Sequence, residues 1–185
     1  IVEIGSNDGA FLNFFKEHGV RVLGVDPAFN LAEAATSMGI PTLPVFFDSG
    51  VAHTIMQEHG PATAIVTNFT LASVDDLDDF TRGVAEMLSA DGTFMFETQY
   101  RVDGFQRHLL ETLNNEQLSI FSVKPLDAYF GRHGLELIDV RHMPSKGGSI
   151  RCTVQKAEGQ RAISPTVQEH LSLEERLGVY NLDFY

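Results

Sequence analysis

Two features near the start of the chain, a glycine turn and a later aspartate, have the chemistry to hold an adenosine-bearing ligand. The turn, residues 3–9, follows an apolar segment and precedes a helical one, and Asp26 ends the next apolar segment. Glycines let the backbone approach a ligand, and an acid on the next strand accepts hydrogen bonds from ribose hydroxyls. The residues expected to line this site are Glu3, Gly5, Ser6, Asn7, Gly9, Asp26 and Pro27.

The spacing of Gly5 and Gly9 indicates which ligand to expect. Gly-x-x-x-Gly differs from the Gly-x-Gly-x-x-Gly run that places a pyrophosphate at a helix N-terminus. It resembles motif I of the S-adenosylmethionine-dependent methyltransferases, whose cofactor has a sulfonium and an amino acid but no phosphate. Alone, the glycines could serve only a tight turn, and Asp26-Pro27 could be a turn-forming pair. Together they favour ribose binding, and S-adenosylmethionine is the expected cofactor.

The composition is that of one soluble globular domain. The chain has 185 residues, of which 43% are hydrophobic and 21% charged, enough to bury a core. Its net charge of −12 disfavours nucleic acid or an anionic membrane as partner, because both select a basic face. No apolar run approaches the roughly 18 residues that a membrane-spanning helix needs. The single cysteine, Cys152, excludes an internal disulfide or a cysteine-based zinc site and fits the reducing cytoplasm.

The order of apolar segments predicts strands that alternate with helices. Strands are expected at 1–4, 20–25, 42–46, 62–67, 93–97, 135–140 and 149–154, with a turn at Asp91-Gly92 before the fifth. Helices are expected at 10–18, 31–38, 49–59, 75–89, 102–112 and 124–133, and from Ser164. Alternation implies a parallel sheet, and the short connection 141–148 makes the last two strands antiparallel. The expected fold is α/β: a Rossmann-like sheet of seven strands, mostly parallel with one antiparallel, and helices on both faces.

Ligands of such sheets bind at the carboxyl ends of the strands, where segments 3–9, 67–71 and 97–100 fall. Asn68 and Leu71 are expected to border the sulfonium end of the cofactor. Phe46 or, preferably, Phe47 could pack on adenine, although core packing is the default for phenylalanine. The acidic run 75–79 is interpreted as a solvated helix start, so no metal site is predicted.

A series of segments, in order, resembles the sugar C-methyltransferases of deoxysugar biosynthesis. The segments include "VEIGSNDGAFL", "GVDPAFNLAEAA", "GIPTLPVFF", "TNFTLASVDDLDDFTRGVAEMLSADGTFMFE", "LSIFSVKPLDAYFGRHGLELIDV" and "PSKGGSIR". The resemblance implies methylation at a carbon of a nucleotide-linked keto sugar. In that family a base removes the proton next to the ketone, and the enolate attacks the methyl sulfonium.

The resemblance also implies a domain organisation. Family members have a zinc-binding region before this domain and another α/β region after it. The chain begins inside the first strand, without the helical segment that usually precedes it in this class. We therefore expect a central piece of a longer protein, with residues 1–155 as the S-adenosylmethionine-binding domain and 156–185 as a helical extension.

The chain departs from the family where the base is expected. The family histidine after strand four is Ser73, and the Tyr-His-Glu-His run reads Asn114-Asn115-Glu116-Gln117. Lys146 replaces the histidine of Pro-Thr-His-Gly-Gly-Ser. An amide cannot act as a general base near neutral pH, whereas histidine can. Glu116 is therefore the leading candidate base, with Glu97 and Tyr100 next. The residues expected to face the acceptor are Glu116, Asn115, Gln117 and Tyr100.

Several alternatives stay open at the level of sequence. The acceptor could be an oxygen, a nitrogen or a more acidic carbon that needs only positioning, or the domain could bind the cofactor without turnover. Lys146 and Arg151 could pair with an anionic group of a small-molecule substrate or be solvated. A different class, an NAD-dependent sugar oxidoreductase or epimerase, is disfavoured by the missing Gly-x-Gly-x-x-Gly run and Tyr-x-x-x-Lys pair.

Overall fold

The computed structural model describes residues 1–108 and 116–182. The strands are β1 (Val2–Ile4), β2 (Leu23–Val25), β3 (Thr42–Leu43), β4 (Ala62–Asn68), β5 (Leu88–Gln99), β6 (Leu135–Met143) and β7 (Ser149–Lys156). The helices are α1 (Ala10–Glu17), α2 (Phe29–Ser37), α3 (Ser49–His59), α4 (Leu77–Met87), α5 (Arg101–Gln106), α6 (Val123–Arg132) and α7 (Pro165–Leu177). Within these ranges, no helix is long and apolar enough to cross a membrane.

The seven strands form one sheet in the order β3-β2-β1-β4-β5-β7-β6. Strands β1 to β5 pair in parallel, and β7 runs antiparallel to both β5 and β6. This confirms the predicted fold class. Because crossovers between parallel strands are right-handed, the reversal of strand order at β1 puts α1 and α2 on one face and α3 and α4 on the other. The same reversal opens a crevice between the carboxyl ends of β1 and β4.

A layer of aromatic rings fills the core on one side of β5. Phe94 and Phe96, two residues apart, point to the same face, where Phe96 packs on Phe130 of α6 at 5.6 Å between ring centroids. Phe80 of α4 lies 6.3 Å from Phe94, and all four side chains are fully buried. Such pairs stabilise the core beyond the area they bury. The layer fixes α4 and α6 against the strand whose end borders the crevice.

Several strand boundaries differ from the sequence prediction, three of which have a clear reason. The expected turn at Asp91-Gly92 is wrong, because β5 already begins at Leu88 and a register shift between Ala62 and Ala64 of β4 accommodates the extra residues. Strand β2 starts at Leu23 instead of Val20, whose N–H completes the end of α1 by bonding to Phe15 O at 3.1 Å. Strand β3 ends at Leu43, and the chain then leaves the sheet. Local sequence cannot show which strand a segment pairs with.

One buried carboxylate of helix α7 joins this helix to the start of α6 and to Tyr100. Glu174 is fully buried and accepts hydrogen bonds from the backbone N–H groups of Val123 (2.6 Å) and Lys124 (3.0 Å). The Tyr100 hydroxyl donates to the same group at 2.9 Å, and the Tyr180 hydroxyl is a fourth donor. Glu174 thus supplies the negative charge that the N-terminus of α6 favours. The boundary near residue 155 stays a prediction.

We expect Glu174→Gln to lower the free energy of unfolding by about 2–4 kcal/mol, because it weakens charge-assisted bonds in a buried site. Glu175→Gln, at the exposed next position, should change it by less than about 0.5 kcal/mol. Urea unfolding followed by circular dichroism measures both. Equal losses in the two variants would contradict this role for Glu174.

Candidate functional site

A cleft of about 500 Å³ lies where β1, β2 and β4 end. Its volume is in the usual range for a small-molecule site. Of the residues predicted for the cofactor, the cleft is lined by Gly5, Asn7, Asp26, Pro27, Phe47 and Asn68. Phe46, the other candidate for adenine, also lines it, as do Asp48, Thr70, Ser73 and Asp79, which the sequence-based reasoning did not name as cofactor residues.

The glycine turn has the backbone that its sequence suggests. Gly5 and Gly9 have φ values of 77° and 78°, and Asn7 between them has 52°. A Cβ atom on Gly5 would collide with Thr70 Oγ1 of the loop after β4, so only glycine fits there. Gly9 is the N-cap of α1 and provides no side-chain cap. The Ala10 N–H, the first of this helix, donates instead to the Asp8 carboxylate at 3.1 Å.

Asp26 joins the glycine turn to the loop after β2. Its side chain is 7% exposed; one carboxylate oxygen accepts the Asn7 N–H at 2.8 Å and the other the Ala28 N–H at 2.9 Å. Each oxygen retains capacity for a further hydrogen bond. The residue predicted to hold ribose hydroxyls thus lines the cleft and also fixes the two loops beside it.

Polar groups buried behind the turn lack partners among the described residues. They are Glu3 Oε2, Ser6 Oγ and Thr67 Oγ1. Glu3 is 4% exposed; burial and the nearby carboxylates of Asp26 and Asp8 raise its pKa to about 7 against an opposing hydrogen bond with Asn68. Buried polar groups without partners are costly, and Ile4 and Gly5, which follow Glu3, line the cleft. Both facts fit a bound group that brings hydrogen-bond donors.

Four predicted cofactor residues do not line the cleft: Glu3, Ser6, Gly9 and Leu71. The prediction for Leu71 is wrong, because its side chain is 1% exposed and belongs to the core. Of the two candidate adenine neighbours, Phe47 is half-buried against Phe80, at 5.2 Å between ring centroids. Phe46 is 79% exposed. Both border the cleft, so an aromatic wall exists at this end.

Two acidic side chains hold the start of α3 beside this wall. Asp48 caps α3 by accepting the Val51 N–H at 2.7 Å. Asp79 of α4 accepts both the backbone N–H and the hydroxyl of Ser49, at 2.9 and 2.7 Å. These hydrogen bonds from Ser49 lower the pKa of Asp79, and they outweigh burial, which would raise it. Its role could not be read from the acidic run 75–79, because its partner lies 30 residues away.

Ser73 and the 116–119 segment meet at the other end of the cleft. Ser73 borders the cleft, and the N–H groups of Leu118 and Ser119 donate to the carbonyl of Ala72 at 2.8 and 3.0 Å. Gln117 donates to the side chain of Gln99, and Glu116 is exposed. Asn115 lies outside the described residues. Two positions where the chain departs from the sugar methyltransferase pattern are therefore neighbours.

Tyr100 and Glu97 do not fit the role of a base. The prediction that Tyr100 faces an acceptor is wrong: it is 3% exposed and donates to Glu174. Its burial also raises its pKa far above the usual range. Burial would raise the pKa of Glu97, but hydrogen bonds from Ser149 and Arg151 outweigh it and lower the pKa. Arg151 is thus paired with Glu97, at 2.8 Å.

Comparisons with known proteins agree with this geometry. A family model described as a methyltransferase domain matches residues 1–140. The C-methyltransferase NovU of Streptomyces niveus is 36% identical over all 185 residues, and the chain spans 44% of its length.

Solved structures of low sequence identity share the fold. An S-adenosylmethionine-dependent methyltransferase of Anabaena variabilis superposes with a TM-score of 0.65 at 15% identity, covering 84% of this chain and 76% of that one. The magnesium protoporphyrin IX methyltransferase of Synechocystis, with bound SAH, gives 0.62 at 10% identity, covering 84% and 73%. From the family match and this shared fold, the chain belongs to the methyltransferase domain family.

Proposed function

We propose that the domain transfers the methyl group of S-adenosylmethionine to a small-molecule acceptor. The observation that carries this proposal is the glycine turn with Asp26, because it joins a close backbone approach to a carboxylate at the crevice between β1 and β4. When bound, the sulfonium supplies an activated methyl group. Asp26 would hold the ribose hydroxyls, Phe46 or Phe47 would flank adenine, and Asn68 would lie toward the sulfonium.

The carboxylate of Glu3, whose Oε2 atom has no partner among the described residues, suits the ammonium group of the cofactor's methionine part. An ion pair or a direct hydrogen bond there would relieve the cost of the buried Oε2 atom. Ser6, whose hydroxyl also lacks a partner in the described part of the chain, is a second candidate donor or acceptor. Glu3 and Ser6 lie behind the glycine turn, so they would bind groups of the cofactor that enter between β1 and β4.

For the acceptor, we propose a carbon next to a carbonyl group in a nucleotide-linked sugar or a related natural-product intermediate. The identity shared with a relative named C-methyltransferase supports carbon as the atom methylated. Glu116 would be the base, with Gln117 and Asn115 beside the acceptor. Since the chain spans 44% of that relative, we also propose that flanking regions of the same protein complete the acceptor site. We propose the cytoplasm as its location, because the single cysteine, Cys152, is a buried free thiol and free thiols fit a reducing compartment.

The first prediction concerns Asp26. Wild-type protein should bind S-adenosylhomocysteine in calorimetry, and Asp26→Asn should bind it at least about tenfold more weakly, because the neutral amide accepts hydrogen bonds less strongly than the carboxylate. Asp91→Asn, at an exposed position away from the cleft, is the matched control. Binding of NAD by a protein that does not bind S-adenosylhomocysteine would falsify the proposed function.

The second prediction concerns pH. Since the pKa of Glu3 is raised to about 7, its carboxylate form becomes dominant only above that pH. A ligand ammonium binds this form, so affinity for S-adenosylhomocysteine should rise about tenfold from pH 6 to pH 8. Glu3→Gln should bind more weakly and without this rise, whereas Glu17→Gln on exposed α1 should keep it. A pH-independent affinity in the wild type would rule out this contact.

The third prediction concerns Glu116. If it is the base, Glu116→Gln should cut turnover of a nucleotide-linked keto sugar at least about tenfold and leave affinity for S-adenosylhomocysteine unchanged. Release of S-adenosylhomocysteine by the full-length protein is the measurement, and Glu86→Gln, at an exposed position of α4, is the control. Unchanged turnover in Glu116→Gln would point to an acceptor that needs positioning alone.

A further inference from the structure

Two loops at the carboxyl edge of the sheet meet through a lysine and a phenylalanine that both have left-handed backbones. Phe69 follows β4 with φ of 59°, and Lys146 lies between β6 and β7 with φ of 48°. Lys146 Nζ sits 3.9 Å from the centroid of the Phe69 ring, a cation–π contact. Positive φ is uncommon for side-chain-bearing residues, costs on the order of 1–3 kcal/mol, and is found most often at functional sites.

The loop that carries Lys146 is held from several sides. The Arg107 guanidinium donates to Gly147 O at 2.8 Å, and the Tyr100 N–H donates to Gly148 O at 3.2 Å. A Cβ atom on Gly148 would collide with the carboxyl group of Asp103. The backbone of the loop therefore fixes where the lysine stem starts, and the Phe69 ring fixes where its ammonium ends.

The Phe69 ring that holds this ammonium lies beside the cleft. Asn68 and Thr70, on either side of Phe69, both line the cleft. The remainder of the cleft is acidic, lined by Asp26, Asp48, Asp75, Asp76 and Asp79. An acceptor that develops negative charge would be repelled there unless a cation compensated it.

Lys146 differs from the neighbouring arginines in its partners. Arg151 pairs with Glu97 at 2.8 Å and Arg107 with Asp103 at 3.4 Å. Within residues 1–108 and 116–182, Lys146 makes no ion pair with a carboxylate, and its ammonium lies over the Phe69 ring. The Phe69 ring therefore fixes the position of the Lys146 ammonium, and the positive charge is available to an anion.

We propose that Lys146 stabilises the negative charge that forms on the carbonyl oxygen of the acceptor when the neighbouring carbon loses its proton. This inference rests on the proposed methyl transfer. The base takes the proton from the carbon next to the carbonyl, and the electron pair moves to the oxygen beside Lys146. That pair then forms the new carbon–carbon bond to the methyl group, the carbon–sulfur bond breaks, and its electrons stay on sulfur. The enolate and the sulfonium both become neutral.

The test uses 4-nitrophenol as an oxyanion probe on protein saturated with S-adenosylhomocysteine. Bound beside a cation, the phenol should ionise at lower pH than in buffer, which its absorbance reports directly. Lys146→Met should abolish this shift and weaken phenolate binding at least about tenfold, whereas Lys146→Arg should retain both. Lys124→Met is the matched control, because Lys124 also lies over an aromatic ring, 5.0 Å from that of Tyr180, but on α6.

Inorganic pyrophosphate is the second probe, since a phosphate group would also suit a lysine. Pyrophosphate binding that depends on Lys146, without any effect on 4-nitrophenol, would assign the lysine to a phosphate and overturn the enolate proposal. So would a Lys146→Met variant that binds phenolate as the wild type does. Affinity for S-adenosylhomocysteine, measured in every variant, separates these outcomes from a failure of the proposed function, in which the wild type would not bind it.

Discussion

The shape of the cleft depends on one carboxylate, that of Asp26. Its two oxygens accept the N–H groups of Asn7 and Ala28, so the turn after β1 and the loop after β2 cannot separate without breaking a charge-assisted bond. Asn7 has positive φ, and this bond helps to offset the cost of that conformation. On its other side, the turn packs closely against Thr70, because Gly5 has no side chain to hold the two apart. Three loops are thus locked around the point where the strand order reverses.

Near these loops, buried polar atoms of Glu3, Ser6 and Thr67 have no partner within the part of the chain that the structure describes. A protein under selection for stability alone would pair or remove such groups, since each costs about 1–3 kcal/mol. Their position behind the glycine turn instead suits a site that gains hydrogen bonds on binding. The pKa of Glu3 is raised for a related reason. A buried carboxyl group without a cation nearby is more stable when it is protonated. The same buried polar groups therefore account for both the expected ligand binding and the local loss of stability.

The sequence was sufficient for the parts of the fold that depend on local pattern. The β1–turn–α1 unit, α3 and the antiparallel β7 follow from apolar periodicity, glycine positions and connection length. Tyr100 and Leu71 were wrong for a common reason: sequence position put them at the right edge of the sheet but could not say which way each side chain points. Tyr100 turns into the core because Glu174, 74 residues later, offers its only acceptor there among the described residues. Thr70 against Gly5 and Asp79 on Ser49 are likewise long-range contacts without a local signal.

The two halves of the cleft are built on different kinds of structure, which bears on how the acceptor half could change. The cofactor half stands on the ends of β1, β2 and β4, where a substitution disturbs the sheet. The proposed acceptor half stands on the turn at Leu71–Ser73, the 116–119 segment and the loop of Lys146. Backbone hydrogen bonds help to hold these segments: the N–H groups of Leu118 and Ser119 donate to Ala72 O, and the Tyr100 N–H donates to Gly148 O. Backbone bonds tolerate a change of side chain, so Ser73, Gln117 and Lys146 can replace histidines without loss of the scaffold. A new acceptor chemistry is therefore accessible to this fold at little cost in stability, provided that Phe69 and the glycines of the loop keep the ammonium in place.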